Sequence, residues 1–261
     1  MPNRVELEYR DSDDRGAVAR IVIDNRDRIN VLDSDLITQL ISGVNDLAGD
    51  QRLRVLVITG AGDKAFIGGA DINEMSTLAA AGESSSAKEF ITILHEACRE
   101  LRRFPVPVIG RINGYCLGAG LEIAASCDMR VAAAQAIFGM PEVKVGIPSV
   151  IEAALLPRLI GWGRTAELVF TGESISAADA LAWGLVERVA SADQLDREVE
   201  QLTESILNAG PRAIRLQKEL MREWERLPIE EAIERGAESF AAAYETDEPL
   251  RFMQRFLNRK R

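Results

Sequence analysis

The chain has 261 residues, of which 47% are hydrophobic and 28% charged, a balance typical of a globular protein with an ample core rather than of a disordered chain. Its formal net charge of -10 disfavours nucleic acid and anionic membranes as partners, and we expect neither. The N-terminus has no signal-peptide core, and no apolar run approaches the roughly 20 residues that cross a bilayer, so we expect a cytoplasmic protein.

In chain order, the pattern first predicts a β-hairpin from VELEY and AVARIVID, then a helix capped by Asp33 or Ser34, then a buried strand at 54–60. A glycine-rich segment and a loop at 76–87 are predicted before a helix at 89–103. Further strands are predicted at 105–114 and 128–139, and the chain from residue 151 onward is predicted to be almost wholly helical. These elements indicate one mixed α/β core of repeated ββα-like units with a helical C-terminal extension.

The cysteine and histidine content limits the available chemistry. Cys98, Cys116 and Cys127 lie in apolar surroundings without CxxC spacing, so we expect buried free thiols in a reducing compartment. His95 is the only histidine, and it lies within a strongly helical pattern. We therefore expect neither a Ser-His-Asp triad nor a metal site.

Two small-residue segments each follow a predicted strand, FIGGAD at 66–71 and NGYCLGAGLE at 113–122. Glycine and alanine let a ligand approach the main chain closely, so backbone N–H groups from both segments could converge on one oxygen as an oxyanion hole. Tight packing of helix against strand also requires small residues. Both interpretations fit the sequence.

Two glutamates lie in apolar stretches, Glu122 in LGAGLEIAASCD and Glu142 in FGMPEVKVGIP. A carboxylate in such a stretch costs free energy unless it is paired, hydrogen-bonded or functional. Each alone could be a satisfied or partly exposed acid. Together, on segments that flank a predicted strand, they could face one cavity as a general acid and base.

Taken together, these motifs resemble the crotonase superfamily of enoyl-CoA hydratases and isomerases over nearly the whole chain. The resemblance is carried by INVLDSDLITQL, VLVITGAGDKAFIGGADINEM, PVIGRINGYCLGAGLEIAASCDMRVAA, FGMPEVKVGIP and LLPRLIGWGRTAELVFTGESISAADALAWGLVERV. It implies a crotonase-like spiral of ββα units over 1–200 with the CoA-thioester site. It also implies a helical region over 201–261 that helps build a homotrimer, commonly paired as a dimer of trimers.

The same resemblance implies a lyase of fatty acid metabolism that adds water across the double bond of a 2-enoyl-CoA. Its two oxyanion N–H donors fall on Ala70 and Ala119, and its two hydratase glutamates fall on Glu122 and Glu142. Coenzyme A enters as part of the acyl-CoA substrate, so no separate cofactor and no metal are expected. The first alternative is a CoA-thioester hydrolase or enoyl-CoA isomerase on the same fold. The second is a non-catalytic RNA-binding member of the superfamily, which the negative net charge disfavours.

Further substrate contacts are expected at Arg28, Lys64, Gly69, Asp71, Gly118, Ser149 and Val150. Two of these residues depart from the family pattern, because Ser149 and Val150 replace glycines near the expected acyl pocket. We therefore expect both to shape acyl selectivity. Asn73 stands where the family commonly has a lysine.

The C-terminal segment PLRFMQRFLNRKR predicts a helix with two stripes. Phe252 and Phe256 form an apolar stripe, and Arg251, Arg255 and Arg259 form a basic one. The basic stripe is either a solvated face that complements the helix C-terminus or, by resemblance, a contact to the CoA nucleotide of a neighbouring subunit.

Overall fold

The structure is a computed structural model that describes residues 3–82 and 84–258. Its strands are β1 (Arg4–Asp11), β2 (Ala17–Asp24), β3 (Leu53–Gly60), β4 (Ala65–Ile67), β5 (Val108–Ile112), β6 (Tyr115–Leu117), β7 (Met129–Ala133), β8 (Ile137–Gly139), β9 (Ser174–Ser176) and β10 (Arg188–Ala190). Its helices are α1 (Ser34–Ala48), α2 (Ile72–Ala81), α3 (Ser84–Arg103), α4 (Ala119–Ala125), α5 (Leu156–Ile160), α6 (Trp162–Thr171), α7 (Ala177–Trp183), α8 (Leu195–Leu207), α9 (Pro211–Trp224), α10 (Ile229–Ala243) and α11 (Glu248–Leu257). Short 3-10 turns at Pro141–Val145 and Ile151–Leu155 matter for the site.

The strands form two sheets, a six-stranded sheet in the order β1-β2-β3-β5-β7-β10 and a four-stranded sheet in the order β4-β6-β8-β9. β1 and β2 pair antiparallel as the predicted hairpin, and β2, β3, β5, β7 and β10 run parallel. Each of β3, β5 and β7 is followed by a short strand in the second sheet and then by helix. The predicted α/β fold of repeated ββα units is confirmed.

The core follows from the alternation of side chains along buried strands. All of β3 is buried. Leu56 and Ile58 join the large cluster between the sheets and α1, α3 and α4, while Val55 and Val57 face α8 on the opposite side. A strand covered on both faces reads as a continuous apolar run, which is how this segment appears in the sequence.

One local prediction was wrong. Residues 76–81 and 84–87 are helical rather than a loop, because alanines and other residues compatible with helix outweigh the serines. Gly82 ends α2 at a φ of 69°, so the chain turns there before α3 begins. The chain after residue 151 is mostly helical, as predicted, and its two strands, β9 and β10, have three residues each, too few to show a period.

The C-terminal helices are tied to the main sheet by two buried cations. The Arg54 guanidinium donates to the carbonyls of Ile206 at 2.9 Å and Ala209 at 2.8 Å, and Lys218 Nζ contacts Asp128. The boundary expected at residue 200 falls inside α8. Within the ranges described, no helix has both the length and the apolarity needed to cross a bilayer.

Candidate active site

A cavity of about 570 Å³ opens where the C-terminal ends of β4 and β6 meet α2 and α3. It contains both small-residue segments and both candidate glutamates. The rest of the wall is mainly apolar and includes Ile72, Met75, Leu78, Phe90, Ile91, Leu94 and Leu117. A pocket with an apolar wall and a few convergent polar groups is the usual form of a small-molecule site.

The first small-residue segment leaves β4 and exposes one backbone N–H. The Leu32 N–H donates to Gly69 O at 2.9 Å, and the Asp71 N–H donates to Leu32 O at 2.8 Å. Ala70 lies between these two bonds, and its own N–H donates to no acceptor among the described residues. Gly69 has a φ of 120°, which only glycine adopts readily, so the residue type is required for this turn.

The second segment joins β6 to α4 and exposes another N–H. Gly118 has a φ of 50°; its N–H donates to Gly139 O at 2.9 Å, and its carbonyl accepts from the Leu121 N–H at 2.8 Å. Ala119, the first residue of α4, has an N–H that donates to nothing in the described ranges. The two N–H groups predicted as oxyanion donors therefore belong to residues that line one cavity.

Two glycines of the second segment make close contacts of different kinds. A methyl group built on Gly120 would overlap Ile67 O, so this glycine serves tight packing of α4 against β4. A methyl group built on Gly118 would overlap Glu142 Oε1, so this glycine makes room for a candidate catalytic carboxyl.

Glu122 lies in the first turn of α4 and is 4% exposed. Burial, reinforced by the negative charge of Glu142, raises the pKa of Glu122 to about 8. The Ala153 N–H opposes this shift by donating to Glu122 Oε1 at 3.3 Å. At neutral pH the Glu122 carboxyl therefore retains its proton in the free protein.

Glu142 lies in the turn Pro141–Val145 and lines the cavity with Glu122. Ser149 Oγ donates to Glu142 Oε2 at 2.8 Å. Ser149 thus contacts a carboxyl of the cavity without lining the cavity itself, whereas Val150 lines it.

The remaining predicted contacts divide into two groups. Gly69 and Gly118 line the cavity. Asp71 instead begins α2 by accepting from the Asn73 N–H and forms a bidentate ion pair with Arg28 at 2.6 and 2.8 Å. The Arg28 guanidinium holds the pKa of Asp71 below its ordinary value. Neither Arg28 nor Asp71 lines the cavity, and Lys64 is exposed away from it.

Sequence reasoning missed several cavity residues. Lys88 and Lys144 place two cations at the cavity, and Lys144 also pairs with Glu173 at 2.8 Å. Lys144 is two residues from Glu142, so its position in the motif could have indicated it. Within the described part of the chain, no group of three or more histidine, cysteine or acidic side chains is arranged to hold a metal ion.

Comparisons with known proteins agree with this architecture. The family described as enoyl-CoA hydratase/isomerase matches residues 13–261. The chain is 32% identical to the short-chain-enoyl-CoA hydratase of Clostridium acetobutylicum and 34% identical to the crotonyl-CoA hydratase of Syntrophomonas wolfei, in both cases over 94% of this chain and 93% of the relative. The crystal structure of enoyl-CoA hydratase from Bacillus anthracis superposes with a TM-score of 0.91 at 28% identity, covering 98% of this chain and 97% of that one. The chain therefore belongs to the enoyl-CoA hydratase/isomerase family.

Proposed function

We propose that this protein is an enoyl-CoA hydratase that adds water across the double bond of a 2-enoyl-CoA. One observation carries the proposal. Glu122 and Glu142 line one apolar cavity, and the same cavity has two backbone N–H groups that donate to no acceptor among the described residues. Two relatives that match 94% of the chain are named as hydratases of short-chain enoyl-CoA and of crotonyl-CoA. Both lines support the same chemistry.

The backbone donors stabilise the charge that forms on the thioester oxygen. As water adds to the β-carbon, electron density moves to the carbonyl oxygen, which acquires enolate character. The N–H groups of Ala70 and Ala119 donate to this oxygen. Because neither N–H group donates to an acceptor among the described residues, no hydrogen bond within that part of the protein has to break first. Donors already in position for developing charge lower the barrier more than they stabilise the substrate.

The two carboxyls carry the protons of the reaction. Glu122 deprotonates the water that attacks the β-carbon, and Glu142 helps hold that water and delivers a proton to the α-carbon. Burial raises the pKa of Glu122 to about 8, so in the free protein the proton of the pair lies on Glu122. For Glu122 to act as the base, this proton must first pass to Glu142. Glu142 then delivers it to the α-carbon while Glu122 takes up a proton from the attacking water. Ser149 keeps Glu142 oriented toward the cavity through the hydroxyl hydrogen bond.

The substrate is an acyl-CoA thioester, and coenzyme A arrives as part of it without a further cofactor. The apolar wall from α2 and α3 receives the acyl chain. We place the enzyme in the cytoplasm, where the buried thiols of Cys98, Cys116 and Cys127 remain reduced. We also propose a homotrimer or a dimer of trimers as the working form.

The experiment is incubation of the pure protein with short, long, branched and aromatic 2-enoyl-CoAs, followed by product mass. Hydration adds the mass of one water and removes the conjugated double bond. Thioester hydrolysis would instead release a free thiol, and isomerisation would leave the mass unchanged. A thiol or an isomer as the main product from every substrate would replace the hydratase proposal with the corresponding alternative.

A further inference from the structure

One buried acid has no part in the proposed proton transfers. Glu152 is 3% exposed and lies in the turn Ile151–Leu155, next to Ala153, whose N–H donates to Glu122. A buried carboxyl without a partner is costly, so its surroundings must explain its presence. This residue belongs to the segment PSVIEAALLP and follows Val150, which lines the cavity, by two positions.

Glu152 is held by two residues of α3. Its carboxyl lies 3.1 Å from His95 Nδ1 and 3.9 Å from Arg102 Nη1, and these positions share one face of the helix. Arg102 is fixed in turn by Glu225 at 2.7 Å. The contacts clamp the turn Ile151–Leu155 to α3, the helix that also supplies part of the cavity wall.

The clamped turn touches Glu122 through its next residue. The Ala153 N–H donates to Glu122 Oε1 at 3.3 Å. The turn begins with Ile151 at a φ of 38°, a left-handed conformation that β-branched residues avoid. Such a conformation persists only where surrounding contacts hold it, and strained backbone of this kind is concentrated at functional sites.

We propose that Glu152, clamped by His95 and Arg102, is a positioning residue that fixes the Glu122 carboxyl through the Ala153 N–H. This inference rests on the proposed function of Glu122. Glu152 has a second, electrostatic effect, because its negative charge helps to raise the pKa of Glu122. The titratable or charged groups that face Glu152 are His95, Cys98 and Arg102 from α3 and Glu122 from α4.

Two substitutions separate these effects. Glu152→Ala removes both the clamp and the charge. It should lower kcat roughly 10- to 100-fold with little change in KM, a loss of the size found when residues that orient metal ligands are mutated. Glu152→Gln keeps an acceptor for His95 but removes the charge. It should lose less of kcat and should move the acid limb of the pH–rate profile to lower pH, since the carboxylate that raises the pKa of Glu122 is gone.

The matched control is Glu248→Gln, which alters another buried glutamate, 7% exposed, whose carboxyl accepts N–H bonds at the start of α9. This control should change stability without moving the pH–rate profile. His95→Gln changes a half-buried side chain that is 43% exposed, so folding should be retained, and it should lower kcat by loosening one side of the clamp.

The proposal is overturned if folded Glu152→Gln and His95→Gln keep the kcat and pH–rate profile of the wild type, or lose only stability as Glu248→Gln does. A wild-type protein that hydrates no enoyl-CoA would instead remove the proposed function. In that case the infrared carboxyl band of Glu122, identified by its absence in Glu122→Gln, still reports on the clamp. Its titration midpoint should be higher in His95→Gln than in wild type, because the loosened turn weakens the Ala153 N–H bond that lowers the pKa of Glu122, and an unchanged midpoint overturns the inference.

Discussion

At the residue scale, the environment of Glu122 links activity to stability. Its folded-state pKa of about 8 lies above the ordinary value of 4.5, so the folded state binds the proton more tightly than the unfolded state between these two pH values. Folding stability must therefore fall as pH rises through this range. The buried Glu122 carboxyl thus lowers folding stability at the residue proposed to transfer a proton. Such a loss of stability is expected at a functional site.

We therefore predict that Glu122→Gln removes part of the pH dependence of stability. The wild type should lose stability relative to the variant between about pH 5 and about pH 9, because only the wild type has to ionise a buried carboxyl. Urea unfolding of both proteins across this range measures the difference. Parallel curves would show that Glu122 ionises without cost in the folded protein.

The missing side chain of Gly118 leaves the space that the Glu142 carboxyl occupies. We predict that Gly118→Ala lowers kcat strongly, because the added methyl group would overlap Glu142 Oε1 and displace that carboxyl. Gly161→Ala is the matched control, since Gly161 also has a positive φ but a methyl group there meets nothing within 4 Å. Equal activity of the two folded variants would contradict the prediction.

At the element scale, α4 carries one donor at its first residue and Glu122 one turn later. We predict that Ala119→Pro lowers the rate roughly 100- to 1000-fold, because proline has no N–H and the loss of one oxyanion donor typically costs this much. Proline is tolerated at the first position of a helix, so α4 should persist.

The control for this variant is Ala119→Gly, which keeps the N–H and should retain most of the activity. Circular dichroism and binding of coenzyme A establish that both proteins are folded. A folded Ala119→Pro that binds coenzyme A and turns over at a near-normal rate would remove Ala119 from the oxyanion hole.

The elements differ in how far sequence could predict them. β3 and α3 have long periodic patterns and were predicted, and the Asp33 cap was predicted and is confirmed by its bond from the Leu36 N–H at 2.8 Å. The exposed N–H groups of Ala70 and Ala119 follow from glycine turns that are visible in the sequence. The bond from Ser149 to Glu142 and the contact of Ala153 with Glu122 were not predictable, because each depends on how a short irregular turn is folded.

At the scale of the whole molecule, the C-terminal helices expose a large apolar surface. On α10, Ile229, Ile233 and Phe240 are 71%, 62% and 67% exposed, and on α11 Phe256 is 74% exposed. Exposed apolar side chains that form a contiguous patch are typical of interaction sites. The neighbouring Arg255 lies over the Phe252 ring at 5.2 Å, while Arg259 of the predicted basic stripe lies outside the described residues.

We predict that the pure protein is a trimer or a hexamer held together through these helices. Light scattering should give a mass of three or six chains. Phe240→Glu combined with Ile233→Glu should lower that mass, because burying the new charges would be costly. A wild-type monomer at working concentrations would contradict the prediction and would leave the apolar surface for another partner.

The central claim is that both glutamates transfer protons in a hydration reaction, and one measurement tests it most directly. The hydration rates of wild type, Glu122→Gln, Glu142→Gln and the double variant are compared on one short 2-enoyl-CoA. Each single variant should be slower by roughly 100- to 10,000-fold with little change in substrate binding, because the amide keeps the shape of the side chain but does not exchange the proton. The double variant should lose much less than the product of the single losses, since the two residues share one water. A near-normal rate for either single variant would contradict the two-glutamate mechanism, because an isomerase needs only one carboxylate to carry a proton between two carbons.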